Sequence, residues 1–188
     1  MKIKKLYTIL IGGALLLPLV ACNNNSQVNT QEQSTFQDID LNFEGSEDKG
    51  TARFEPNDKW SISDNNGITS YILKEASNTS KGISSSASID SSYVDPELDD
   101  QSFNEVIQIA TRAISITAEP TITKSEINGH ECYVTEIDAK LGGNDVKVKQ
   151  NIFRKGLYMH VSTFVATSEN FQTDVKEYEE LLKTIIFE

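Results

Sequence analysis

The chain is poor in the side chains that most often carry chemistry. Its 188 residues include two histidines, two cysteines and one tryptophan. No CxxC or HxxxH spacing is present, so a zinc site would have to draw on carboxylates or on Cys132. Ser84-Ser85-Ser86 lacks the flanking glycines of a G-x-S-x-G nucleophile elbow. Basic residues are outnumbered, 17 against 28 acidic ones, for a net charge of −11. With no clustered basic stripe, such a chain repels a phosphate backbone, which excludes nucleic acid as a partner. It also repels anionic lipid headgroups, so charge cannot hold it at a membrane. The apolar run, residues 6–21, carries no charge and is 16 residues long, short of the ~20 apolar residues that a spanning helix needs. Gly12, Gly13 and Pro18 make it a poor permanent helix as well.

What that stretch does have is the order of an export signal. Lys2, Lys4 and Lys5 precede it and small residues close it. Leu19-Val20-Ala21-Cys22 then resembles the lipobox of bacterial lipoproteins: an aliphatic residue, a small residue before the cut, and the cysteine itself. The resemblance implies that residues 1–21 are a signal peptide. It also implies that the Cys22 thiol receives a diacylglycerol and becomes the first residue of the mature chain. Two acyl chains meet the requirement for stable anchoring, at roughly 0.8 kcal/mol per buried methylene. The alternative is an ordinary secretory signal followed by a chance cysteine. A lipidated Cys22 leaves Cys132 alone, so no internal disulfide is expected and the core must hold the fold. The expected location is the extracytoplasmic face of the cell membrane, more in keeping with the outer face of a single membrane than with a periplasm.

Residues 22–35 comprise Cys22 and a polar stretch without periodicity, the composition of a solvated tether. Residues 36–188 read as a single domain with its core over about 50–188. Within 36–50, Phe36, Ile39, Leu41 and Phe43 are set among polar residues, which predicts an edge strand. Residues 52–56 and 59–63 read as two short strands around Pro56-Asn57-Asp58, and 68–74 as a third. The Ser-rich segment 83–91 is β-compatible, with its hydroxyls expected on an exposed face. Phe103, Val106, Ile107, Ala110, Ala113 and Ile114 mark one face of an amphipathic helix. Four strand-like segments follow, 121–127, 130–140, 145–154 and 157–166. Asn128-Gly129, Gly142-Gly143-Asn144 and Lys155-Gly156 separate them, which predicts an antiparallel meander. Phe171, Val175, Tyr178, Leu182 and Ile185 mark a closing helix. Because both amphipathic faces must be buried, the fold class is α+β, a central antiparallel sheet flanked by helices.

This order of elements resembles that of the PsbP-like, Mog1/PsbP-fold lipoproteins. The marks are Phe54-x-Pro56 followed by Trp60-x-Ile62, a helix after the first strands, the hairpin meander, and a last helix running into Lys183-Thr184-Ile185-Ile186-Phe187. The resemblance implies an α/β/α sandwich and an accessory or binding role on a larger assembly. It carries no catalytic residues over, and a fold alone names no reaction.

The candidate chemistries are few. His130 and Cys132 share a strand face, as a Cys–His nucleophilic pair would require; the competing reading packs the thiol as a small buried hydrophobe beside Tyr133 and Val134. Glu131 and Glu136, if close, would raise its pKa. His160 reads as a structural histidine, and Trp60 as core rather than ligand groove. The acidic cluster Asp95, Glu97, Asp99 and Asp100 precedes the first helix. It is a weak candidate for calcium and equally suited to the helix N-terminus. Asp64-Asn65-Asn66-Gly67 fails as an EF-hand, with Ile62 and Leu73 where ligands belong. Asn78-Thr79-Ser80 is a glycosylation sequon that a bacterial lipoprotein would ignore. No cofactor is expected. The expected function is a non-catalytic, membrane-anchored accessory module with an envelope protein partner. The alternative is a small-ligand or metal-binding lipoprotein with a pocket between sheet and helix, and an enzyme built on His130 and Cys132 ranks last.

Overall fold

The computed structural model describes residues 50–65, 68–75, 83–94, 98–114 and 120–188. The lipobox with Cys22, the tether, the strand expected within 36–50, Asp95, Glu97 and the sequon at 78–80 lie outside the described residues.

Seven strands form one antiparallel sheet: β2 (Trp60–Asn65), β3 (Ile68–Leu73), β4 (Ser86–Tyr93), β5 (Thr121–Ile127), β6 (His130–Leu141), β7 (Asn144–Lys155) and β8 (Tyr158–Thr167). Their spatial order is β2-β3-β4-β8-β7-β6-β5. The meander is as expected. Its first turn needs left-handed backbone at both central positions, and Asn128 and Gly129 supply it with φ of 50° and 76°. Helix α1 (Asp100–Ile114) joins β4 to β5, and helix α2 (Phe171–Leu182) follows β8.

Strand alternation sends neighbouring residues to opposite faces, and the two helices divide them. Ile152 and Met159 pack under Phe103 and Ile107 of α1. Phe153, Phe164 and Cys132 pack under Phe171, Tyr178 and Leu182 of α2. The expected α+β sandwich, a sheet with a helix on each face, is therefore the observed one. Trp60 is buried in the α2-side core with Phe54, Tyr71 and Leu73, as its core reading required.

Two expectations need correction. Residues 52–56 and 59–63 do not form a hairpin. The first is reduced to a two-residue strand β1 (Ala52–Arg53), which pairs with β9 (Ile186–Phe187) at the far end of the chain. Thr51 and Glu188 extend that pairing with reciprocal main-chain bonds of 3.0 and 2.8 Å. Pro56 cannot donate to a ladder, and Tyr71 claims the Phe54 N–H through its hydroxyl at 3.2 Å. The second correction concerns the serine-rich strand. Ser85, Ser86 and Ser88 are buried rather than exposed. β4 lies inside the sheet between β3 and β8, where a side chain as short as serine is covered by its neighbours.

Candidate functional site

His130 and Cys132 stand on the α2 face of β6, paired with Ile127 and Ser125 on β5. They are not joined to each other. Cys132 is 3% exposed within the α2-side core, and its sulfur accepts from Asn151 Nδ2 at 3.9 Å. Burial pushes the thiol pKa up, while the Asn151 bond and the Lys149 charge pull it part of the way back. The opposing influences are thus burial on one side and Asn151 and Lys149 on the other, not the two glutamates expected from sequence. The Lys155 ammonium donates to His130 Nδ1. Burial holds that imidazole below the ordinary histidine value, and Lys155 lowers it further against a smaller pull from Glu126. A thiol biased toward its protonated form, beside a histidine engaged with a lysine, lacks the activated nucleophile of a Cys–His pair.

The structure does bring the two histidines to one place, which sequence reasoning missed. His130 and His160 both pack their rings on Phe187, with centroids at 5.1 and 5.0 Å. Phe153 meets the same ring at 5.3 Å. His160 is fully buried, and its Nδ1 lies 2.7 Å from Ser91 Oγ. These contacts need the β6-β7-β8 register and the return of the C-terminus, neither of which leaves a local signal.

Of the acidic cluster, the described members serve the start of α1. Asp99 accepts from the Ser102 N–H at 2.7 Å, and that bond holds its carboxyl below the usual aspartate value. This is a helix cap. Asp100 lies 3.9 Å from Arg154, whose guanidinium covers Phe103 at 5.4 Å. Among the described residues, no group of three potential ligands is placed to hold a metal ion.

Beneath α2 runs a buried polar chain that the sequence did not announce. Tyr178 Oη lies 2.6 Å from Ser162 Oγ and donates to Asn151 Oδ1 at 3.0 Å, and Asn151 continues to Cys132. Burial pushes the Tyr178 phenol far up, so it is a neutral donor at any physiological pH.

Two clefts in the described part of the molecule bear on binding. One, of about 450 Å³, separates edge strand β5 from α2 and is lined by Thr123, Ser125, Val134, Lys149, Asn151 and Leu182 among others. Lys149 there is held by Glu179 at 2.7 Å and by Glu136 at 3.8 Å. The other, of about 380 Å³, is a notch between β3 and β4 that β1 also walls, lined by Thr51, Arg53, Thr69, Ser88, Asp90 and Thr163 with their neighbours. It opens where β3 and β4 part, with Ile68 and Thr69 of β3 along its wall. β3 is paired to β4 only through Ser70, Tyr71 and Ile72, opposite Ser88, Ala87 and Ser86. β4 continues along β8 as far as Tyr93. Arg53 is committed to Glu188 at 3.0 Å and Glu55 at 3.4 Å. The exposed Asp90 carboxylate has no cation from among the described residues, and it accepts from the adjacent Ser91 N–H at 2.9 Å.

No family model matches the chain, and no curated protein does. Solved structures do match. A crystal structure from Bacteroides thetaiotaomicron superposes with a TM-score of 0.51 at 11% identity, over 73% of this chain and 45% of that one. The chain thus spans less than half the length of that structure. LpqN of Mycobacterium tuberculosis, involved in cell envelope biogenesis, matches with a TM-score of 0.49 at 11% identity, over 76% of this chain and 86% of its own. The solution structure of cyanobacterial PsbP from Synechocystis matches with a TM-score of 0.41 at 10% identity, over 77% and 96%. Likeness at such identities concerns the fold alone.

Proposed function

We propose that this chain is an exported lipoprotein, anchored through Cys22 at the extracytoplasmic face of the membrane, whose domain is a non-catalytic accessory module that binds an envelope protein. The observation that carries the binding role is the cleft where β3 and β4 part, walled also by β1, in which the exposed Asp90 carboxylate has no cation among the described residues. Polar and main-chain groups in such a place lose less by meeting a partner than by facing a packed core. Anchoring follows from the lysine-rich start, the uncharged run and Leu19-Val20-Ala21-Cys22. Among the described residues no helix is long and apolar enough to cross a membrane. The stretch 22–35 supplies reach away from the surface.

The test is chemical crosslinking on intact host cells with the wild-type chain beside Cys22→Ala, and identification of what is recovered. A partner captured in near-equal amount with the anchored form alone supports a module working at the membrane. Capture with both forms keeps the binding role and reduces the lipid to retention. No specific partner in either sample overturns the reading.

The cleft between β5 and α2 favours a second reading, a small-ligand site between sheet and helix. About 450 Å³ is within the range of ligand pockets, roughly 300–1,000 Å³. A thermal-shift screen with small ligands and divalent cations would show stabilisation by mass action. A flat result removes that reading.

A further inference from the structure

We infer that the cleft between β5 and α2 binds a small molecule with a single carboxylate and an apolar body, the carboxylate held by Lys149 and Asn151. The inference rests on the second reading above, a small-ligand site between sheet and helix, and adds to it the anchoring residues and the ligand class.

The register of the sheet decides which way the buried amide points. Asn151 stands between Val134 of β6 on one side and Ser162 of β8 on the other. Tyr178 donates to its Oδ1 and also meets Ser162, so the carbonyl end of the amide faces β8. The amide nitrogen is thereby turned toward β6. The cleft lies on that side, with Val134 and the paired Thr123 as part of its floor. Asn151 is 1% exposed, and its nitrogen carries two hydrogens. One is directed at the Cys132 thiol, a weak acceptor, at 3.9 Å. The other has no acceptor among the described residues. A buried donor without an acceptor is costly, and Tyr178 holds this one toward the cleft that Asn151 lines.

Lys149 supplies the charge. It lies two residues before Asn151 on the same face of β7, about 7 Å away along the strand, a gap that a lysine side chain spans. That side chain is only 13% exposed. Of its three ammonium hydrogens Glu179 takes one at 2.7 Å, and Glu136 at 3.8 Å is beyond hydrogen-bond distance. The other two have no acceptor among the described residues. A charged donor and a neutral one thus share the inner wall. A carboxylate brings one oxygen to each, and its charge strengthens both bonds. A dianion such as phosphate is less suited, because Glu179 and Glu136 already stand beside the one ammonium. Val134, Ile127 and Leu182 give the remainder of the cleft an apolar lining. Asn128 donates to the Lys183 C=O and closes the cleft at the end of α2. Thr123 and Ser125 are exposed and leave it open past the sheet edge. The notch at Asp90 offers an acid no such place, since Arg53 there is committed to Glu188 and Glu55.

The experiment titrates butyrate, hexanoate and benzoate, each beside its primary amide, and inorganic phosphate into the full chain in detergent micelles. The readouts are the Asn151 side-chain amide signals by NMR and the thermal unfolding midpoint. The acids should shift the Asn151 signals saturably and bind at least tenfold more tightly than their amides, with phosphate weaker than the acids. Lys149→Met should weaken the acids at least tenfold and leave the amides unchanged, whereas Lys149→Arg, which keeps the charge, should retain acid binding. A substitution of Asn151 would also strip Tyr178 of its acceptor, so its signals rather than a variant report on it. Equal binding of acids and amides, shifts that fall away from the cleft, or acid binding unchanged in Lys149→Met overturns the inference. Two levels of failure are separable. Amides that shift Asn151 as well as the acids do sink the carboxylate site and leave the small-ligand reading standing. Unmoved Asn151 signals and a flat midpoint with every probe sink both.

Discussion

Replacing Tyr178 with phenylalanine isolates one hydroxyl in the middle of the α2-side core. The ring stacks on Phe164 with centroids 4.9 Å apart and planes 12° from parallel. Phenylalanine keeps that stack and nearly all of the buried area, so the change reads the hydroxyl alone. The oxygen is fully buried, lies 2.6 Å from Ser162 Oγ and donates to Asn151 Oδ1 at 3.0 Å. Removing it leaves the Asn151 oxygen, and in part Ser162, without a partner in a place that water does not reach. An abandoned buried polar group costs about 1–3 kcal/mol, so Tyr178→Phe should lose roughly 2 kcal/mol. At a urea m-value of about 2 kcal/mol per M, the unfolding midpoint falls by roughly 1 M. Tyr178→Ala also loses the packing of the ring and should cost about 3–5 kcal/mol. Ser162→Ala in the Tyr178→Phe background should cost less than in the wild type, because the shared bond is already gone. A Tyr178→Phe midpoint within about 0.2 M of wild type, or about 0.4 kcal/mol at that m-value, would refute the claim that this network is dry and satisfied.

Native Cys132 should resist iodoacetamide at pH 8 and label promptly in denaturant, since burial both hides the thiol and raises its pKa; prompt native labelling would contradict its place in the core. His130 has a folded pKa below its ordinary value, so the unfolded chain binds more protons and stability rises with pH through that window. That contribution is fully present above about 6.5 and is lost as pH falls through the lowered folded value; in His130→Gln the slope of unfolding midpoint against pH between 7 and 5 should flatten. Gly50 sits at φ +67° with the Tyr158 ring where a Cβ would go, whereas Gly143, at φ +83°, has open space there. Both alanine variants bear the left-handed cost of about 1–2 kcal/mol, and Gly50→Ala should lose at least 1 kcal/mol more in urea unfolding. Thr135 Oγ1 is buried without a hydrogen-bond partner among the described residues, so Thr135→Val should stabilise by about 1 kcal/mol; a loss of that size would show that the hydroxyl is bonded after all.

The parts of the fold that were legible in the sequence are those set by neighbours in the chain. Asn128-Gly129 fixes a tight turn because both positions take left-handed backbone, and once that hairpin is placed the rest of the meander follows by alternation. Both helices were visible because their apolar stripes had to be covered. What was not legible depends on distant pairing. Arg53 meets Ile186 across most of the chain, and nothing near residue 53 says so. The same holds for the clefts. No residue of β3 or β4 marks where their pairing stops, so the notch is a product of register rather than of motif. The residues weighed from sequence, Cys132 and His130, drew notice because their types carry chemistry elsewhere. The structure gives them packing partners, Asn151 and Lys155, that the one-dimensional order keeps 19 and 25 residues away.

Register also gives the serines a pattern. Read across the sheet, Thr135, Gln150, Thr163, Ser88, Ser70 and Ser63 stand opposite one another in turn on six adjacent strands. They form one polar row on the α1 face, and all but Ser63 are buried. Gln150 Nε2 reaches Thr163 Oγ1 at 3.3 Å within it. On one side the row borders the apolar cluster under α1, with Ile152 and Met159, and on the other the cluster of Ile137, Val148 and Val165. A sheet optimised for stability alone would close this seam with valine or isoleucine, since buried hydroxyls give up water and gain little. Local choices that run against the fold are concentrated where function needs them. Midway along the row, Ser88 and Thr163 are walls of the notch. Stability lost along the seam and an opening between two strands thus meet at the same residues, Ser88 and Thr163, in the middle of the sheet.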